Sequence, residues 1–409
     1  MALTNLSTPE THTPCYNPQT FCFSSSNVGQ PNFTYNFILT INSVVVERDI
    51  DANPSDNKFY FDAQGDAMSH CHNEFYPAIN DFQFSIDGAI RKVEWSIQEK
   101  YGSPPTLQGA ATTGTYYVWN AAYKTKDFPS YAYSAGSLAK DLTLVPDLTD
   151  TIHYDQKYLF KRWHRAFASS NLRYLNLKCY NSNGSITLQD AILENQFYNA
   201  AGVYQRNHLT LNCSPYGLNN ITGTAIISQS QPGALVPTNT AYYTITLSAT
   251  NFGTPNTNTY TVYLDDFCSN YDRYVLHFLN RLGNYDSFTF NKLSRPTFEN
   301  KQSKYKKYPL SNISNKLSYN SYDSDTANYS TVITDKLLLN SKFITEAQMI
   351  WLTDLLNSPS VYLENSDNEL YAVELTSRGP FEEKKKANDK IFNLTIEVEY
   401  SFEDTRQRG

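Results

Sequence analysis

The tightest group of ligating side chains in the sequence is His70-Cys71-His72. Alternate residues of an extended chain share a face, so the two imidazoles can point together. No second Cys/His cluster stands at zinc-site spacing, and the triplet reads as an ordinary loop. Asp265-Asp266 and Asp323-Ser324-Asp325 supply close carboxylates. Both lack the glycine and distal glutamate of a calcium loop and read as solvated acids. His277 lies between Leu276 and Phe278 in a strand-like pattern, which suits a structural histidine better than a general base. The sequence contains no G-x-S-x-G elbow, no phosphate-cradling glycine loop and no H-E-x-x-H helix. Trp95, Trp119, Trp163 and Trp351, with 32 tyrosines, could stack on sugar rings. Trp95 sits between Val93 and Ile97 in a core-facing register, however, and Trp351 falls on a helical pattern, so packing is their plainer role. No catalytic, cofactor-binding or metal-binding residue is therefore assigned, and the expectation is a protein without enzymatic activity and without a cofactor.

Bulk properties narrow the classes further. A net charge of −7 disfavours a nucleic-acid-coating surface, which needs a dense positive stripe. The longest basic run, Lys384-Lys385-Lys386, follows Glu382-Glu383 and reads as a solvated loop. The opening residues lack the basic and apolar regions of a signal peptide, and nowhere do about eighteen apolar residues follow one another, so synthesis in a cytoplasm without a membrane anchor is expected. Six cysteines without paired spacings read as reduced thiols. The heavy use of Tyr and Phe favours pleated, half-buried surfaces.

The elements that must position these side chains are mostly strands. Residues 1–30, rich in Thr, Ser, Asn and Pro, show no periodicity and are expected to form a flexible arm. Residues 31–106 make a first β domain: Phe33, Tyr35, Phe37, Leu39 and Ile41 share one strand face, and Phe82–Ile86 is expected to turn at Asp87-Gly88 into Val93–Ile97. Its end is placed at "EKYGSPPTLQG", where Gly and two prolines interrupt a strand. Residues 107–267 make a second, sandwich-like β domain. There Leu175, Leu177 and Cys179 lead into an Asn183-Gly184 turn, and Tyr243, Ile245 and Leu247 pair with Tyr260, Val262 and Leu264. Residues 268–409 form an α+β unit with one capped helix packed on antiparallel strands. In "ITEAQMIWLTDLLNSP", Thr345 and Gln348 make a capping box and Ile344 and Met349 a hydrophobic staple. The terminal strand alternates Phe392, Leu394, Ile396, Val398, Tyr400 and Phe402 against polar neighbours. The fold class is mainly β, built from several small sandwich-like domains.

One stretch stands out. "FLNRLGNYDSFTF", residues 278–290, puts aromatic runs on either side of an Asn-Arg-Leu-Gly-Asn turn. It resembles the F-x-N-R-x-G-x-x-D-x-F-T-F signature of tail structural proteins of short-tailed crAss-like phages of Bacteroidetes. "NFTYNFILTI", "EKYGSPPTL", "YYVWNAAY", "LFKRWHRAF" and "FITEAQMIWLTDLLNSPSVYLE" agree in order, across most of residues 30–405. The second glycine often found in the turn is Asn284 here, a residue that tolerates left-handed backbone.

The resemblance implies a virion protein of the phage tail, synthesised in the host bacterial cytoplasm. Its partners would be itself, as a ring homo-oligomer for which twelve-fold symmetry is one form, and other ring, portal-side or hub and muzzle proteins. DNA would pass through the channel during ejection without specific binding, a role that an acidic chain suits. A carbohydrate-binding or receptor-binding tail module using exposed aromatics is the alternative, and a depolymerase a more distant one.

Overall fold

The alternation in "NFTYNFILTI" becomes the strand Thr34–Ile41, with Tyr35, Phe37, Leu39 and Ile41 all buried. In the computed structural model the described residues are 3–406, apart from 74, 76–82, 85–88, 132–139, 165–172, 185–186, 196–207, 223, 251–252, 266–270, 308–310, 314–315, 319–321, 323 and 377–391. The chain is mainly β, in several separate sheets, and its one helix of more than five residues among those described is Glu346–Leu356. It divides into two compact units: Met1–Asp266 with Asn280–Asp286, and Phe267–Leu279 with Ser287–Gly409.

In the first unit, a five-stranded sheet runs in the order His12–Pro14, Pro105–Trp119, Ile90–Gly102, Thr34–Ile41, Val44–Ile50. A three-stranded sheet is formed by Leu3–Ser7, Thr20–Ser25 and Lys58–Asp62. Their apolar faces share one core, in which Phe21 lies 5.1 Å from Phe37 and 5.5 Å from Trp95 between ring centroids. This is sheet-on-sheet packing through aromatic side chains.

Residues 1–30 thus differ from the expected flexible arm. They contribute three strands, and Phe21 and Phe23 are fully buried in that core. The "TFCFSS" segment alternates over only six residues, and its partners come from elsewhere in the chain, so local composition could not reveal its burial. The boundary expected at 106/107 is also replaced. Gly102 to Pro105 is the turn of a long hairpin, with Ile90–Gly102 and Pro105–Trp119 paired from Ile90↔Trp119 to Gly102↔Pro105. Proline interrupts a ladder only where its missing N–H is needed, and at a hairpin end it is not. Residues 31–106 and 107–266 accordingly share one unit.

A four-stranded sheet follows the order Lys140–Asp141, Phe160–His164, His208–Asn212, Gln83–Phe84. Gln83–Phe84 pairs with His208–Asn212, while the strand starting at Ile90 pairs with Thr34–Ile41; Asp87-Gly88 lies outside the described residues. A six-stranded sheet contains the two expected pairings. Tyr174–Tyr180 pairs with Thr187–Asn195 beyond Gly184, and Tyr243 faces Val262 as Ile245 faces Tyr260.

The second unit holds a seven-stranded sheet in the order Tyr285–Phe290 (its part from Ser287 on), Tyr274–Leu279, Val361–Glu364, Leu370–Leu375, Phe392–Arg406, Thr326–Ile344, Arg295–Lys306, and a two-stranded pairing of Ser311–Ile313 with Lys316–Ser318. Thr345 caps the helix: its Oγ1 accepts from Gln348 N at 3.2 Å, and Gln348 Oε1 accepts from Thr345 N at 3.0 Å. Met349, Trp351, Leu352 and Leu355 are buried, with Trp351 against Phe278 and Phe288. The helix covers only part of the sheet's apolar face. On Phe392–Arg406, Leu394, Ile396 and Val398 are buried, whereas Phe402, in the same alternation, is 73% exposed.

Candidate functional site

The turn of the 278–290 signature is held by buried polar groups within the first unit. Gly283 has φ +94°, and a Cβ there would stand 2.5 Å from the Asn120 carbonyl oxygen, so only glycine fits. Asn280 Oδ1 accepts from Leu282 N and Asn284 N, which shapes the turn, while its Nδ2 donates to Leu142 O at 2.9 Å. The Asp286 carboxylate, fully buried, accepts from Asn280 Nδ2 at 2.9 Å, Asn284 Nδ2 at 3.0 Å and Leu144 N at 3.2 Å. Arg162 Nη1 donates to Gly283 O at 2.9 Å and to Asn73 Oδ1 at 3.2 Å. The conspicuous Asn, Gly and Asp of the signature therefore serve as an anchor. The strands on either side of this turn belong to the second unit.

His277 does take part in an arrangement with the composition of a hydrolase triad. Its Nδ1 lies 2.8 Å from Ser287 Oγ and its Nε2 2.9 Å from Glu364 Oε2. Two features separate it from a nucleophilic site. The serine sits at Nδ1 and the carboxylate at Nε2, the reverse of the serine-protease order. His277 and Glu364 are completely buried and Ser287 almost so, which leaves no open face on the hydroxyl for a reacting carbonyl. The three side chains tie neighbouring strands together.

A second buried polar group lies in the first unit. Lys161 Nζ is 2.7 Å from Asp150 Oδ2, both side chains are at most 4% exposed, and the ammonium stands 4.5 Å from the Tyr260 ring centroid. Burial pushes the Asp150 carboxyl above the usual range, opposed by the lysine charge. Among the described residues, His70, Cys71 and His72 included, no group of three or more His, Cys, Asp or Glu is placed to hold a metal ion. Cys15, Cys22, Cys71, Cys179 and Cys213 are free thiols, and burial raises Cys179 to about 12.

An opening able to receive a partner lies in the second unit, on the apolar sheet face that carries Phe402. A groove of about 900 Å³ is lined by Tyr274, Tyr371, Tyr400, Phe298 and Phe402, together with Asp272, Asp335 and Asp367. Phe298 is 75% exposed. Register explains the floor: Phe298 is opposite Asp335, Leu337 opposite Val398, and Val373 opposite Tyr400, so these side chains share one face. Its field is negative. Tyr274 is raised by burial and then by Asp272 and Asp367, and Tyr400 by burial, then the neighbouring tyrosines and Asp335. Lys336, the one lysine in the lining, is held by Glu299 Oε2 at 2.6 Å and Glu399 Oε2 at 3.6 Å. Aromatic faces beside exposed carboxylates favour a cation or a polyhydroxylated ring.

No protein-family model matches the chain, and no curated protein is significantly similar to it.

Sequence reasoning missed the groove because its residues come from five separated segments. The signals present were local: "NSDNE" before Tyr371 is a turn whose Asn365 Oδ1 accepts from Asp367 N and Glu369 N. It also missed a basic edge. Arg295, Lys301, Lys304, Lys306 and Lys307, against Glu299, are interleaved with other residues and form no run longer than Lys306-Lys307. The strand Arg295–Lys306 is exposed at every position and occupies the edge of its sheet. The run Lys384-Lys385-Lys386 lies outside the described residues.

Proposed function

We propose that this chain is a virion structural protein, the repeating subunit of a homo-oligomeric ring in a phage tail barrel. It stacks on other tail proteins around the channel through which DNA leaves. The observation that carries the reading is the edge strand Arg295–Lys306, twelve consecutive exposed residues with Phe298 and Tyr305 among them. Such an edge offers a row of backbone donors and acceptors to another chain, while Pro296, Lys301, Lys304 and Lys306 hold off promiscuous pairing and leave it to a matched partner. The likeness of residues 278–290 to the tail-protein signature supplies the biological setting, and the buried anchoring of that turn fits an architectural role. No helix among the described residues is long and apolar enough to cross a membrane.

The test is assembly of the full chain. Sedimentation velocity at micromolar concentration and virion-like salt should give a discrete closed oligomer, seen as rings in negative stain. A strictly monomeric species across that range refutes the proposal. A carbohydrate-binding tail module is the second reading, favoured by the aromatic lining of the groove. It requires glycan-array binding that disappears on replacing Tyr371 or Tyr400 with alanine.

A further inference from the structure

Two of the free thiols, Cys15 and Cys71, come together from distant parts of the chain. Cys15 follows the strand His12–Pro14, and its N donates to Trp119 O at 2.8 Å. Cys71 follows the short helix Gln64–Met68, and its N donates to Met68 O at 3.4 Å. Both lie in the aromatic core shared by the three- and five-stranded sheets, at 0% and 6% exposure. There the Cys71 thiol donates a hydrogen bond to the Cys15 sulfur. Cys71 itself belongs to a surface turn, with Met68, Ser69 and His72 exposed around it. An oxidant as small as hydrogen peroxide needs only a local opening of that turn to reach the sulfurs.

The shared hydrogen bond divides the roles of the two sulfurs. Contact with Cys71 lowers Cys15 below the usual thiol range, although burial opposes it. Cys71 is raised by its contact with Cys15 and then by burial, so it keeps its proton. One sulfur ready to ionise beside another that holds a proton is the arrangement in which a thiolate takes an oxidant and a neighbouring thiol resolves the product. Cys179 and Cys22 are placed differently. Cys179 donates to Leu235 O at 3.4 Å and is raised by burial, and Cys22 meets Tyr60.

We propose that Cys15 and Cys71 form a dithiol that hydrogen peroxide converts to a disulfide, fastening the amino-terminal segment to the turn that carries Cys71. The Cys15 thiolate attacks one peroxide oxygen; the O–O bond breaks, Cys15 becomes a sulfenic acid and hydroxide is released. The Cys71 sulfur then attacks the Cys15 sulfur; the S–O bond breaks, and the hydroxyl leaves as water with the Cys71 proton. Two thiols and one peroxide thus give one disulfide and two waters. The bond closes a loop that contains Thr20–Ser25, Thr34–Ile41, Val44–Ile50 and Lys58–Asp62, strands of both sheets around that core. Its constraint therefore falls on pairings remote in sequence. A reducing compartment keeps such a pair open and an oxidising one closes it. The inference stands independently of the ring reading.

The experiment treats the folded full chain, prepared reduced, with graded hydrogen peroxide, then labels the remaining thiols with N-ethylmaleimide in denaturant and maps peptides by mass spectrometry. At doses below those that convert the exposed Met68 to its sulfoxide, Cys15 and Cys71 should lose their label together. They should reappear as one linked peptide pair, lighter by two hydrogens, while Cys179 is labelled in full. Dithiothreitol should restore both labels. Amide exchange on peptides covering 12–23 and 58–71 should slow about tenfold or more in the oxidised chain. Cys71→Ser leaves Cys15 without its resolving thiol, so the same doses should carry Cys15 to a sulfenic acid trapped by dimedone, with no linkage.

Full labelling of Cys15 and Cys71 at doses that already oxidise Met68 overturns the proposal. So does linkage to a different cysteine, or linkage that forms only in the urea-unfolded chain. Cys15 passing to a sulfinic acid in the wild type while Cys71 stays labelled likewise overturns it, as does a linked chain whose exchange in those peptides is unchanged.

Discussion

Replacing Asp286 with alanine tests whether the signature turn is a structural anchor. The carboxylate is fully buried and accepts hydrogen bonds from Asn280 Nδ2, Asn284 Nδ2 and Leu144 N. Alanine leaves those donors facing a hole, and each buried unsatisfied group costs about 1–3 kcal/mol. Water entry and relaxation recover part of the sum, so the expected loss is about 3–5 kcal/mol. Asp286→Asn keeps the shape and one acceptor oxygen, which can serve the two donors now at Oδ2. It sets one amide against Asn284, and rotation of that side chain relieves the conflict, so about 1–3 kcal/mol is expected. Two compact units need not unfold together, and a single global stability is then poorly defined. Hydrogen exchange by mass spectrometry, resolved on peptides covering 140–145 and 280–286, reads the local opening instead. The alanine variant should speed exchange there by about two to four orders of magnitude, with the asparagine variant between it and wild type. Exchange within threefold of wild type in the alanine variant refutes the anchor argument, since that corresponds to less than about 0.7 kcal/mol at RT of about 0.6 kcal/mol.

The remaining predictions concern buried charge. Lys161→Met should cost about 3–5 kcal/mol of local stability, read by hydrogen exchange on peptides covering 149–153 and 160–163, by leaving Asp150 buried without its partner, and Asp150→Asn with Lys161→Met should recover most of it. Burial raises the Asp150 carboxyl, so the folded state keeps its proton longer than the unfolded chain does. The defect of Lys161→Met should therefore shrink as pH falls from 8 toward 5; a defect that grows over that range contradicts the assignment. His208 titrates in the opposite sense. Burial first, then Arg162 and His12, push its pKa well below 6.5, so it stays neutral when folded while the unfolded chain takes up a proton. Its contribution is intact above about pH 6.5 and is lost below that by up to about 1.4 kcal/mol per pH unit. His208→Gln should flatten that slope between about pH 6.5 and 5, read by hydrogen exchange on peptides covering 208–212 after correction for the intrinsic pH dependence of exchange, and an unchanged slope counts against the neutral form.

Much of the local structure is legible in residue order, because side chains of a strand alternate with period two and a helix start carries its own capping chemistry. Thr34–Ile41, the Tyr174–Asn195 hairpin, the pairing of Tyr243 with Val262 and the Thr345–Gln348 box all follow from neighbours within a few positions. The sequence also singles out Gly283, since a turn between two aromatic runs needs a residue that accepts positive φ. Partner choice is another matter. Period two says which face is apolar but not which strand lies alongside. That is why "TFCFSS" and Gln83–Phe84 join strands far away in the chain, and why a Gly/Pro turn that looked like a domain limit is a hairpin end. Tertiary structure alone decides that Asp286 meets Leu144, that His277 stands between Ser287 and Glu364 beyond the reach of solvent, and that the helix stops short of Phe402. The groove exists for that last reason: an apolar face that the strand alternation prescribes becomes an opening only where the covering element ends.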